Sequence, residues 1–135
     1  MTFTLNTKIY GYQCDVYGHL NNANYLQLYE AARAEALTEM ELPVAKLLQI
    51  GIMLFIIKIE IEYKKAVELE DNITIKSKII HNDRLKAIWE QEIYNSAGER
   101  CSTAKVTGVY VTDGKPTRIS KEMQNFFEKY VTNSL

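Results

Sequence analysis

The 135 residues suit a single domain, 1–135, with 47% apolar and 24% charged side chains, a balance that needs neither disulfide nor structural metal. A net charge of −1 excludes a nucleic-acid binder held by bulk electrostatics. The longest apolar run, Ile50 to Ile57, is much too short to span a bilayer. Cys14 and Cys101 stand far apart and fit no zinc spacing. The opening MTFTLNTKIY lacks the basic and apolar regions of a signal peptide, so a cytoplasmic protein with free thiols is expected.

Residues 3–12 alternate enough for a first strand, and a polar turn follows. From Asn24 the apolar residues Tyr25, Leu28, Tyr29, Ala32, Ala36 and Met40 fall on one helical face, with Leu26 and Leu37 on its flank. Asn21 or Asn22 suits the N-cap. The many alanines make this helix thin, so that a curved sheet can grip it closely. Glu30 precedes Arg33 by one turn and is expected to pair with it. Residues 42–52 read as a short helix or loop.

The segment FIIKIEIEYK gives the clearest alternation, with Phe55, Ile57, Ile59, Ile61 and Tyr63 on one face and Lys58, Glu60, Glu62 and Lys64 on the other. Residues 72–80 alternate again, with Ile73, Ile75 and Ile79 inward. After the HNDR turn, residues 85–94 bring Leu85, Ala87, Trp89 and Ile93 together. A turn through Gly98 leads to a long strand over 100–112, and a serine cap at 120 opens an amphipathic helix to 131. Short turns between the four later strands predict a meander. The fold class is α+β: a five-stranded antiparallel sheet wrapped around a long central helix with a further helix at the C-terminus, the hotdog arrangement.

The stretch before the central helix carries the chemistry. Asp15, Gly18, His19, Asn21, Asn22 and Tyr25 spell D-x-x-G-H-x-N-N-x-x-Y. This pattern, the following L-x-x-Y-E-x-A-R from Leu26 to Arg33, and the later EYKKAVELEDNITI resemble the 4-hydroxybenzoyl-CoA thioesterase family in order and length. One branch of that family has histidine immediately before A-N-Y; here the position is Asn22, and histidine stands at His19 instead.

The resemblance implies a hotdog enzyme that hydrolyses acyl-CoA or acyl-carrier-protein thioesters, with no cofactor and no metal. The family's motif aspartate falls on Asp15, and its carbonyl-polarising backbone N–H falls on Asn22. Gly18 and Tyr25 fall where substrate is bound. The family's sites form between subunits, which implies a dimer at least and admits a tetramer. Chemically, Asp15 serves either as general base for water or as a nucleophile. The free N–H groups of the first helical turn polarise a carbonyl oxygen, though their partial charge also steadies Asp15 as an anion. His19 assists by orienting Asp15 or water, or by donating to the carbonyl. Lys64, Lys65, Arg84 and Lys86 are candidates to meet CoA phosphates. The competing readings are a carrier-protein thioesterase and a non-catalytic acyl-CoA binding module on the same fold.

Overall fold

A computed structural model describes residues 1–132. The chain runs through β1 (Phe3–Lys8), a single 3-10 turn (Gly11–Gln13), α1 (Asn22–Glu39), α2 (Val44–Gln49), β2 (Met53–Tyr63), β3 (Asn72–Asn82), β4 (Lys86–Tyr94), β5 (Arg100–Thr112), the two-residue β6 (Lys115–Pro116) and α3 (Lys121–Glu128). The architecture is the hotdog fold: α1 lies on the inner face of a curled antiparallel sheet, and the C-terminal helix packs beyond β3. The short β6 adds a sixth strand through a hairpin with β5.

The strand order is β1-β3-β4-β5-β2, which corrects the expected meander. Only β3, β4 and β5 follow one another. β2 pairs with β5 at the far edge, and β1 takes the place beside β3. The connection from Lys64 to Asp71 therefore has to cross from the β2 edge of the sheet past β5 and β4 to β3. It passes the start of α1, where Leu20 N–H donates to Val67 O (2.8 Å) and His19 bridges to Glu68.

Alternation places the inner face of three strands where expected. Ile73, Ile75 and Ile79 of β3, and Ala87, Trp89 and Ile93 of β4, are buried, as are Ala104 and Val106 of β5. Leu85, expected with them, lies ahead of β4 and is exposed. β2 differs more. Its register slips between Ile56 and Lys58, so Ile57 has no opposite residue and the side-chain phase inverts across it. Before the bulge, Leu54 and Ile56 share a face with Tyr110 and Gly108; after it, Ile59, Ile61 and Tyr63 share one with Val106, Ala104 and Ser102. Phe55 and Ile57, expected inward, are 49% and 62% exposed. Gly108 is required here, because a Cβ would stand 2.6 Å from Leu54 Cγ.

Asn21 caps α1, its side chain accepting from Ala23 N–H. The helix ends in a Schellman pattern: Leu42 N–H donates to Leu37 O and Glu41 N–H to Thr38 O, with Glu41 at φ 62°. Between α1 and the sheet lies a buried polar network. Gln91 is fully buried; its Nε2 donates to Tyr29 O and to Ser77 Oγ, both at 2.9 Å. Tyr29 O–H donates to Ser102 Oγ (2.7 Å), and Arg33 Nη1 donates to Gln91 Oε1 (2.9 Å). Arg33 thus turns inward to Gln91 instead of forming the expected pair with Glu30. Burial pushes its pKa down, and the nearby Glu30 charge opposes that shift.

Gln91→Leu would strip partners from Arg33, Ser77 and the Tyr29 carbonyl together. It is expected to cost about 3 kcal/mol. Urea denaturation should show a lower midpoint with an unchanged slope.

Candidate active site

The motif folds as a tight loop that closes on itself before α1. Asp15 N–H donates to His19 O (2.9 Å) and Gly18 N–H donates to Asp15 O (3.1 Å). Gly18 holds φ 74°, the left-handed conformation such a turn demands and glycine adopts without strain. The Asp15 carboxylate braces the loop from inside: its Oδ1 accepts from Tyr17 N–H (2.9 Å) and His19 N–H (3.3 Å). Gln13 anchors the loop to the helix start, its carbonyl accepting from Asn21 N–H and from the Asn24 side-chain amide.

Asp15, His19, Asn22 and Tyr25 come together on the wall of one cleft of about 270 Å³ at the N-terminus of α1. Gly18 is not on that wall; it shapes the turn, and its carbonyl accepts from Leu69 N–H. Asn22 is the first residue of α1, so its N–H has no acceptor within the helix. Asn21 and Asn24 serve as cap and anchor. The partial positive charge of the helix start falls at the same point.

The far wall comes from the end of β2 and the crossing connection: Tyr63, Lys64, Lys65 and Ala66. Tyr63 packs edge-on against Tyr25 (4.9 Å between ring centres, 86°), and its hydroxyl donates to Asn22 O (3.3 Å). Burial, then the neighbouring Cys101 and Tyr63, push Tyr25 up to about 12, so its hydroxyl stays protonated at neutral pH. Burial, then the charges of Asp15 and Glu68, push the Cys14 thiol up and disfavour thiolate. Lys64 and Lys65 line the cleft, and each is paired, with Glu62 (3.0 Å) and Glu99 (2.7 Å).

His19 does not turn its ring to Asp15. Its Nε2 lies 3.4 Å from Glu68 Oε1, and both side chains are substantially exposed, so the pair is weak. Glu68 and Tyr63 are the residues that sequence reasoning did not bring to the site. Both arrive through long-range pairing, which no local spacing reports. Among the described residues, no group of three His, Cys, Asp or Glu side chains could hold a metal ion.

The model of the thioesterase-like superfamily matches residues 11–127, from the 3-10 turn through α3. The chain belongs to the thioesterase-like superfamily. As a superfamily member it is a thioester hydrolase. The long-chain acyl-CoA thioesterase FadM of Escherichia coli is 30% identical over 105 residues, 77% of this chain and 79% of its own. The acyl-CoA thioesterase YbgC of Haemophilus influenzae is 26% identical over 127 residues, 93% of each chain. Among solved structures, the DHNA-CoA thioesterase of Staphylococcus aureus superposes with a TM-score of 0.87 at 18% identity, covering 95% of this chain and 89% of that one. This last likeness shows the fold. The resemblance carried by D-x-x-G-H-x-N-N-x-x-Y is borne out at the level of the superfamily.

Proposed function

We propose that the chain hydrolyses acyl-CoA thioesters to a free acid and CoA in the Asp15–Asn22 cleft. The observation that carries this reading is the presence, on one wall, of a carboxylate and an amide donor with no helical partner. The thioester oxygen docks on Asn22 N–H. Asp15 takes a proton from water while the oxygen of that water bonds to the carbonyl carbon. The oxyanion then collapses and the C–S bond breaks. CoA leaves as thiolate, a good leaving group because a thiolate is only weakly basic, and then takes up a proton. Direct attack by Asp15, giving a mixed anhydride that water opens at the Asp15 carbonyl carbon, is the alternative. Single turnover in heavy-oxygen water separates the two, since only the anhydride route leaves label in Asp15.

Tyr63 fixes the first helical turn through Asn22 O, and His19 steadies the loop through Asp15 and Glu68. Lys64 and Lys65 sit at the mouth, where the CoA phosphates would meet them. The names of the relatives FadM and YbgC support CoA over a carrier protein. The free thiols of Cys14 and Cys101 fit a cytoplasmic enzyme. The test is thiol release from matched CoA and carrier-protein thioesters of one acyl chain. Faster turnover of the CoA ester supports the reading. Turnover of the carrier ester alone, or tight binding without release, contradicts it.

The working unit in this reading is a dimer, or a tetramer built of dimers. β2 is an edge strand that exposes Phe55 and Ile57 in its first half and reaches the cleft at its other end, Tyr63. Such an edge is a template for a second copy. Ile57→Lys places a charge on that edge and is expected to shift the mass in solution from dimer to monomer, with loss of turnover. Light scattering alongside the assay checks this.

A further inference from the structure

Farther along α1 lies a second concavity, a groove of about 560 Å³ closed by α2 and the first half of β2. Leu37, Leu47, Ile52 and Leu54 make its wall largely apolar. Trp89 and Arg33 line it as well. Trp89 is 2% exposed, and its Nε1–H has no acceptor among the described residues. Arg33 is 9% exposed, and among the described residues its guanidinium makes one hydrogen bond, from Nη1 to Gln91. The two are neighbours through β4: Trp89 and Gln91 occupy successive inward positions, and Gln91 holds Arg33. Glu30 also borders the groove, but it is exposed and forms no ion pair with Arg33.

Buried donors are almost always partnered. A buried tryptophan N–H without an acceptor and an arginine fork with spare donors, both in residues that line one apolar groove, fit an acceptor oxygen that a ligand brings. The groove and the cleft lie between the same two elements. Asn22 and Tyr25 face Tyr63 at one end; Arg33 and Leu37 face Leu54 at the other. The eleven residues from Asn22 to Arg33 span about 16 Å along the helix, a distance that a medium-length acyl chain covers when extended.

We infer that this groove receives the far end of the acyl chain, and that Trp89 and Arg33 bind an acceptor oxygen carried there, a terminal carbonyl or carboxylate. The preferred substrate is then an ω-oxygenated acyl thioester instead of a plain alkyl one. The inference rests on the cleft being the thioester site, and it can be tested apart from turnover.

Trp89 is the only tryptophan, so its emission reports on the groove directly. The wild-type protein is titrated with lauric acid, ω-oxolauric acid and dodecanedioic acid. At least one oxygenated acid should bind about tenfold tighter than lauric acid, the order of one added hydrogen bond, and should change the Trp89 emission. The better of the two identifies the oxygen as carbonyl or carboxylate. Trp89→Phe and Arg33→Gln, followed by calorimetry, should shrink that preference. The kcat/KM ratio between the matching CoA thioester and lauroyl-CoA should fall in the same variants. Equal binding of all three acids by the wild type overturns the inference, whatever the variants do. Tighter binding of an oxygenated acid without turnover of any thioester upholds the groove and overturns the proposed hydrolysis instead.

Discussion

Asp15→Asn is expected to lower kcat by about 10²–10⁴-fold with little change in KM, the usual span for a lost general base. The substitution isolates chemistry from structure. Asp15 Oδ1 accepts from Tyr17 N–H and His19 N–H, and an asparagine oxygen at the same place accepts both. The loop, and with it the path from Gln13 to the helix cap, should therefore hold its shape. What disappears is the negative charge and the ability to take a proton from water or to attack carbon. Asp15→Ala would remove the loop's internal brace as well and so mix the two effects. Thiol release from lauroyl-CoA, together with an unchanged thermal midpoint, is the measurement. Wild-type turnover in the asparagine variant would remove Asp15 from the mechanism.

The elements legible in the sequence are those set by local rules. The inward isoleucines of β3 follow from period-two alternation, and the bounds of β5 from the turns at Gly98 and Asp113. The Asn21 cap follows from three closely spaced asparagines ahead of an apolar helical face, and the Ser120 cap from a serine ahead of the last one. The motif loop was legible because its residue types have few other uses together: an acid that accepts backbone amides, a glycine for a left-handed turn, and an asparagine cap.

Long-range pairing was not legible. Nothing in ELEDN says that the chain has just crossed the sheet, so β2 read as the neighbour of β3, and Glu68 could not be placed beside His19. The bulge at Ile57 hides inside FIIKIEIEY, where every second residue is apolar on either side of the slip. Arg33 looked like the helical partner of Glu30 because i,i+3 spacing is visible in sequence. Gln91, its actual partner, lies on another element and reads as a lone polar residue at an inward position of LKAIWEQEIY.

The second large effect concerns a single amide hydrogen. Asn22 is the first residue of α1, a position where proline is well tolerated because its missing N–H has no helical acceptor. Asn21 has φ −67° and ψ 138°, the extended conformation that a following proline prefers. Asn22→Pro should therefore leave α1 and its cap intact while deleting the donor proposed to hold the oxyanion. Asn22→Ala keeps that donor and removes only the side chain. Turnover of one acyl-CoA by these two variants tests most directly whether the opening amide of α1 stabilises the reacting carbonyl. Asn22→Ala is predicted to stay near wild type, and Asn22→Pro to lose about 10²–10³ in kcat at equal thermal stability. Equal turnover by two folded variants would contradict it.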